Sequence, residues 1–261
     1  MPTRNAPLRF CILTTHRSGS TWLMDLLASH PRIRAYGEIF VQRQWHLLQQ
    51  HPEWYDLYAH IQPPIYFYEY QEQSSRRRPW ITFDYLDLVC GPSPDYDVVG
   101  FKLMYIQLKR LFELAWKLKR DRYRIVHLVR NNYLDIVISN EMRKVRDLAH
   151  ANHEVPPAKV YLEPKALLYE LYRAKRRRRR GDWVLALTGM EKLEITYDEL
   201  CNTPETAMAR ICAFLSVPPA ELRSDFRKLN RQPHWESIAN YEEVRRALKG
   251  SEYEPLLQVP S

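Results

Sequence analysis

Leu8 to Thr15 is a short apolar, β-rich run that breaks at His16-Arg17-Ser18-Gly19. Ser20 to Ser29 follows, with Trp22, Leu23, Leu26 and Leu27 recurring at helical spacing. The pattern predicts strand, tight loop and helix. His30-Pro31 ends that helix, and Ile33 to Tyr36 reads as a short second strand. Val98 to Lys102 predicts a strand before a helical stretch from Tyr105 to Lys119, and Tyr123 to Val129 another before a helix from Asn132 to Arg146. Leu193 to Thr196 gives a further strand, and Pro204 to Leu215 an amphipathic helix. Strands alternating with helices imply an α/β fold, a parallel sheet covered on both faces. Right-handed crossovers put the loops that follow the strands on one rim, where open sheets bind ligands. The residues to inspect are therefore 16–21, 37–40, 102–105 and 130–133. No internal repeat or linker divides the chain, so 1–261 reads as a single domain. The stretch from His51 to Pro94, rich in Tyr, Pro and charge, reads as a lid or insertion around 51–94.

Composition narrows the picture. With 261 residues, 45% apolar content and 17 Tyr, the chain can bury a large core and is not globally disordered. No apolar run approaches the roughly 18–20 residues of a membrane span. The start, MPTRNAPLRF, has no apolar h-region of a signal peptide. Cys11, Cys90, Cys201 and Cys212 form no CxxC pair and read as free thiols in a reducing cytoplasm. The net charge of +8 fits a nucleic acid, a membrane surface or a small anionic ligand. Much of it is local, in Arg76 to Arg78 and in Lys175 with Arg176 to Arg180. Both runs read as solvated faces, since neither is interleaved with aromatics along the sequence as a stacking platform would be.

The first loop has the materials of an anion cradle. Gly19 permits a tight turn, the amides of Ser18 to Trp22 open a helix, Ser20 and Thr21 add hydroxyls, and Arg17 adds a forked cation. It is not a Walker A loop, having no GxxxxGK[ST] pattern and no lysine, which disfavours a nucleoside triphosphatase. The bland alternative is an ordinary helix start capped by Ser20. Arg130 ends the strand HLV, Asn131 and Asn132 can cap the next helix, and Ser139 falls on the face of the helix start. Together with the first loop this suggests one ligand with two separate anionic groups. The nine His show no HExxH or Cys/His cluster, so no metal is expected.

Four segments in order carry a resemblance: THRSGSTWL, SHPRIRAYGEIF, HLVRNNYLDIVIS and TYDELCNTPETAMARICAFLSVP. They resemble the sulfotransferases that use 3′-phosphoadenosine 5′-phosphosulfate (PAPS), most nearly the bacterial carbohydrate and glycolipid branch that includes trehalose 2-sulfotransferases. The resemblance runs from about residue 8 to residue 245. It implies a P-loop-like parallel sheet flanked by helices on both faces and transfer of a sulfuryl group from PAPS to a hydroxyl. By matching, Arg17, Ser18, Gly19, Ser20 and Thr21 bind the 5′-phosphosulfate, with Trp22 closing the loop. Arg130 and Ser139 bind the 3′-phosphate. Arg17 stands where the cytosolic enzymes carry Lys, and nine positions rather than eight separate Arg130 from Ser139. Both features fit the bacterial branch better.

A sugar hydroxyl is a poor nucleophile, so transfer needs a base. Glu38, in YGEIF, is the base the resemblance implies, with His16 as its rival; helix-start stabilisation is the bland reading of Glu38. Lys102 matches a lysine-bearing segment and is a candidate binder of the cofactor. Tyr197-Asp198-Glu199-Leu200 resembles a turn of the family and reads as structural, and the segment from Pro233 to Tyr241 resembles the family's C-terminal segment that covers the nucleotide. The expected partner is a small-molecule or glycolipid hydroxyl acceptor, with no nucleic acid, no transmembrane segment and at most peripheral membrane contact. The rival readings are a metal-dependent nucleotide kinase or hydrolase on a related fold, and a basic protein that binds nucleic acid or an anionic surface.

Overall fold

The computed structural model describes residues 6–42, 59–146, 159–224 and 233–257. Five strands form its sheet: β1 (Leu8–Thr14), β2 (Ile33–Glu38), β3 (Val98–Met104), β4 (Arg124–Val129) and β5 (Lys192–Thr196). Their order is β2-β3-β1-β4-β5 and every pairing is parallel. Alternate residues of each strand face opposite layers. Cys11, Leu13, Phe101 and Leu103 enter one core, while Phe10, Ile12, Ile33 and Val98 enter the other.

Helices fill both layers, as the alternating pattern predicts. α1 (Ser20–Ala28) and α9 (Pro204–Phe214) cover the second core through Leu23, Leu27, Met208 and Ile211. The first core takes α2 (Phe67–Gln73), α3 (Trp80–Val89), α4 (Tyr105–Arg110) and α5 (Glu113–Arg120). A third cluster joins α6 (Tyr133–Arg146), α7 (Pro164–Thr188) and α11 (Tyr241–Leu248). The short helices α8 (Tyr197–Asn202) and α10 (His234–Ser237) lie near the sheet's carboxyl rim. None of the described helices is long and apolar enough to cross a membrane.

Three expectations need adjusting. The helical stretch from Tyr105 to Lys119 is two helices, broken at Leu111 (φ −119°, ψ 66°). In an unbroken helix Leu114 would lie about 120° round from Leu108; the break turns both into the same core. Within 51–94, positions 51–58 fall outside the described residues. The remainder holds α2 and α3, whose Phe67, Ile81, Tyr85 and Leu86 are core side chains. The arginine run belongs to α7, a helix of 25 residues that the hydrophobic pattern did not reveal.

Candidate active site

β1 crosses over to β2 on one side of the sheet and β4 to β5 on the other, yet β1 and β4 are neighbours. The loops leaving them diverge and open a crevice, the usual place for a ligand in such sheets. The first loop and Arg130 meet there. Arg130 Nη1 donates to the Arg17 carbonyl at 3.1 Å, and Arg17 Nε donates to Ser139 Oγ at 2.8 Å. The three residues assigned to two different phosphates are therefore linked directly.

The first loop is held in a fixed shape. Arg17 has φ 64° and Gly19 φ 79°, both in the left-handed region. For Arg17 that conformation costs on the order of 1 kcal/mol or more, the kind of local strain found at ligand clamps. Gly19, not Ser20, is the cap position of α1, and no side chain caps the helix. Glycine brings no cap side chain to accept from the first-turn amides, which favours an anion over the bland capped-helix reading. A Cβ on Gly19 would lie 2.7 Å from the Tyr197 ring. Ser18 is fully buried; its Oγ donates to the Thr15 carbonyl at 2.9 Å and lies 2.6 Å from Thr14 Oγ1. Its hydroxyl braces the loop, leaving its amide for a ligand. Trp22 likewise packs its ring against the core.

Arg130 is fixed from several directions. Its Nη2 pairs with Asp135 Oδ2 at 3.0 Å, and its guanidinium lies 4.3 Å from the Tyr197 ring centroid. Asp135 in turn accepts from His234 Nε2 at 2.7 Å. Burial alone would raise the Asp135 carboxyl, but the His234 hydrogen bond and the Arg130 charge hold it below the usual range. The Asn132 side chain caps α6 by accepting from the Leu134 and Asp135 amides at 3.0 and 3.3 Å. Arg130 Nε is buried without a hydrogen-bond partner. An orphaned guanidinium donor in this crevice is the expected mark of a group that accepts from it.

Glu38 reaches the site through an irregularity in β2. Tyr36 pairs with Phe101 but Glu38 pairs with Lys102, so Gly37 is an extra residue in the ladder. In a regular strand Glu38 would share the face of Tyr36; the inserted residue turns it to the face of Lys102 and α1. There Lys102 Nζ lies 3.3 Å from Glu38 Oε1 and donates to Thr21 Oγ1 at 3.4 Å. Gln107 Nε2 donates to Glu38 Oε2 at 3.1 Å. A chain of contacts thus runs from the first turn of α1 through a buried lysine to the candidate base. His16 keeps contact with solvent, but surrounding protein strips much of its hydration and lowers its pKa. Glu38 opposes that shift, while Lys102, Arg177 and Arg143 reinforce it.

Sequence reasoning missed several members of this site. Tyr197, read as part of a structural turn, packs against both Gly19 and Arg130. It is placed by a capping box in which Thr196 Oγ1 accepts from Glu199 N and Glu199 Oε2 accepts from Thr196 N. Asp135 and Gln107 carried no local signal, while His234 lies in the segment read as a nucleotide cover and Arg177 in the run read as a solvated face. Elsewhere, His127, Asp182 and Glu194 gather ligand atoms within 4.8 Å of one another. Arg178 donates to both carboxylates, at 2.8 and 3.0 Å, so a guanidinium already serves that cluster.

The sulfotransferase domain family matches residues 7–236. This chain belongs to that family, and it is a sulfotransferase. No curated protein matches the chain. Among solved structures it is similar to a sulfotransferase from Alicyclobacillus acidocaldarius, at 17% identity over 97% of this chain and 96% of that one, TM-score 0.47. It is also similar to the sulfotransferase domain of the Synechococcus PCC 7002 olefin synthase, at 18% identity over 84% and 77%, TM-score 0.48. A third is sulfotransferase STF9 from Mycobacterium avium, at 12% identity over 93% and 76%, TM-score 0.46.

Proposed function

We propose that this sulfotransferase moves a sulfuryl group from PAPS to a hydroxyl of a carbohydrate or glycolipid, as in the bacterial branch it resembles, with Glu38 as general base. The observation that carries the reading is the Glu38–Lys102–Thr21 chain, which joins a carboxylate to the anion loop. PAPS fits the residues present. The uncapped turn of α1 and Arg17 suit its phosphosulfate, and the orphaned Arg130 Nε with Ser139 suits its 3′-phosphate. PAPS supplies an activated sulfuryl group and a phosphate leaving group. Ser139 accepts from Arg17 and keeps its own proton to donate.

Lys102 has three N–H bonds; Glu38 and Thr21 take two, and the third is available to charge that develops on a transferring group. Gln107 fixes the rotation of the Glu38 carboxylate. Each carboxylate oxygen retains a lone pair, so Glu38 can take the acceptor's proton without giving up these contacts.

Glu38→Gln tests the assignment. A positioned base contributes about 10²–10⁴-fold, so kcat should fall by that factor with KM nearly unchanged, the mark of an interaction made in the transition state. Adenosine 3′,5′-bisphosphate should bind as before, because Glu38 is not among the residues assigned to the phosphates. Wild-type turnover by a folded Glu38→Gln protein transfers the role to His16.

A further inference from the structure

α7 presents an outward stripe that the active site does not use. Tyr169, Tyr172, Arg176, Arg180, Trp183 and Leu187 fall within an arc of about 120° at helical spacing. Lys165, Arg173 and Arg179 share that arc, and no acidic residue does. The opposite face, with Leu167, Leu171, Ala174 and Leu185, is buried. The outward apolar groups are not: Trp183 is 64% exposed and Leu187 70%. Among the acidic neighbours, Glu170 pairs with the stripe's own Arg173, Asp182 with Arg178 on the far side of the helix, and Glu252 with Lys175 at the stripe's edge. Arg176, Arg179 and Arg180 are exposed and form no ion pair among the described residues. With Tyr172, Lys175, Trp183 and one carboxylate, Glu252, which pairs with Lys175, they line a shallow pocket of about 330 Å³. Along the sequence the arginines lack interleaved aromatics; on the helix surface they are flanked by them.

We propose that this face of α7 docks on an anionic lipid bilayer. Its central cations match lipid phosphates, while Tyr169 and Tyr172 at one end and Trp183 and Leu187 at the other suit the headgroup boundary. The stripe spans about 27 Å along one helix from residue 169 to 187. Its aromatics stand at the two ends rather than between successive cations, where a stacking platform for single-stranded nucleic acid would need them. Arg177, beside Arg176 on the same helix, lies close enough to His16 to depress its basicity. Docking would therefore bring the site near the bilayer, where a lipid-borne acceptor resides. Only that use of the surface rests on the proposed function; docking itself does not.

Co-sedimentation with phosphatidylcholine vesicles, with and without phosphatidylglycerol, tests the proposal. The wild type should bind the anionic vesicles and be released by added salt. Joint Arg176→Gln, Arg179→Gln and Arg180→Gln substitution should weaken binding roughly a hundredfold. Trp183→Ala with Leu187→Ala should weaken the part that survives high salt. Calorimetry with adenosine 3′,5′-bisphosphate should be unchanged in both variants. Equal binding to neutral vesicles, full binding by the arginine variant, or tighter binding to an RNA oligonucleotide would each overturn the proposal. A wild type that binds the nucleotide but no vesicles defeats docking and spares the transfer reading. One that binds vesicles but no nucleotide does the reverse.

Discussion

His127 is fully buried on β4, with Nε2 2.7 Å from the Tyr105 hydroxyl and Nδ1 lacking a hydrogen-bond partner. Burial, reinforced by the nearby Arg178 cation and opposed by Asp182 and Glu194, lowers its pKa to about 4. Because the folded value lies below the unfolded one, the unfolded chain binds the proton more readily between pH 6.5 and 4. The contribution of His127 to stability is therefore complete above about pH 6.5, is lost through that window by on the order of 3 kcal/mol, and is constant below it. Urea unfolding at several pH values should show a shallower slope across this window in His127→Gln than in the wild type. A second single-residue prediction concerns Arg130. Arg130→Lys keeps a charge opposite Asp135 but loses the fork and the stack on Tyr197. Affinity for adenosine 3′,5′-bisphosphate should drop roughly ten- to a hundredfold, with much of the preference over 5′-AMP, as calorimetry can read. Arg17, Glu38 and Arg130 were legible because each stands at or just past a strand end, where periodicity changes; Lys102 was reached although β3 runs on to Met104. Asp135 and His234 were not, because their roles arise from a contact between positions 99 apart in sequence.

At the level of elements, the strands and the helices next to them followed from hydrophobic spacing, because half-buried surfaces impose a period. α7 escaped notice although its signals were present: Glu163 caps it, Pro164 opens it and Gly189 closes it in the left-handed region. The charge of Lys175 to Arg180 masked the underlying Leu167, Leu171, Ala174, Leu185 spacing. Gly37 is the opposite case: its sequence signal was plain, but only pairing to β3 shows that it turns Glu38 toward Lys102. Gly181 lies where α7 crosses Tyr105, and a Cβ there would fall 2.4 Å from that ring. In an open helix Gly→Ala stabilises by about 1 kcal/mol. Here Gly181→Ala should destabilise by about 1–3 kcal/mol through overpacking. The sign of the change in Tm decides between a crowded crossing and a free helix face.

On the scale of the molecule, the strand order places the two loops proposed to hold phosphates on neighbouring strands, so one nucleotide bound there would brace both halves of the sheet. Saturation with adenosine 3′,5′-bisphosphate at 100 times its Kd should therefore add about 2.7 kcal/mol of stability. The associated rise in Tm should be equal in magnesium and in chelator, since Arg17, Lys102 and Arg130 supply the positive charge assigned to the ligand. The brace also has an outer support. His234 holds Asp135, which holds Arg130, and the Asn132 amide donates to the Leu256 carbonyl at 3.1 Å. The anchors at positions 17, 130 and 139 are synthesised long before the residues that steady them. At roughly 5–20 residues per second, on the order of ten seconds separates Ser139 from Leu256 on a ribosome. A nascent chain can close its sheet in that interval, yet it cannot hold its nucleotide firmly until the 234–257 segment has emerged and settled against α6.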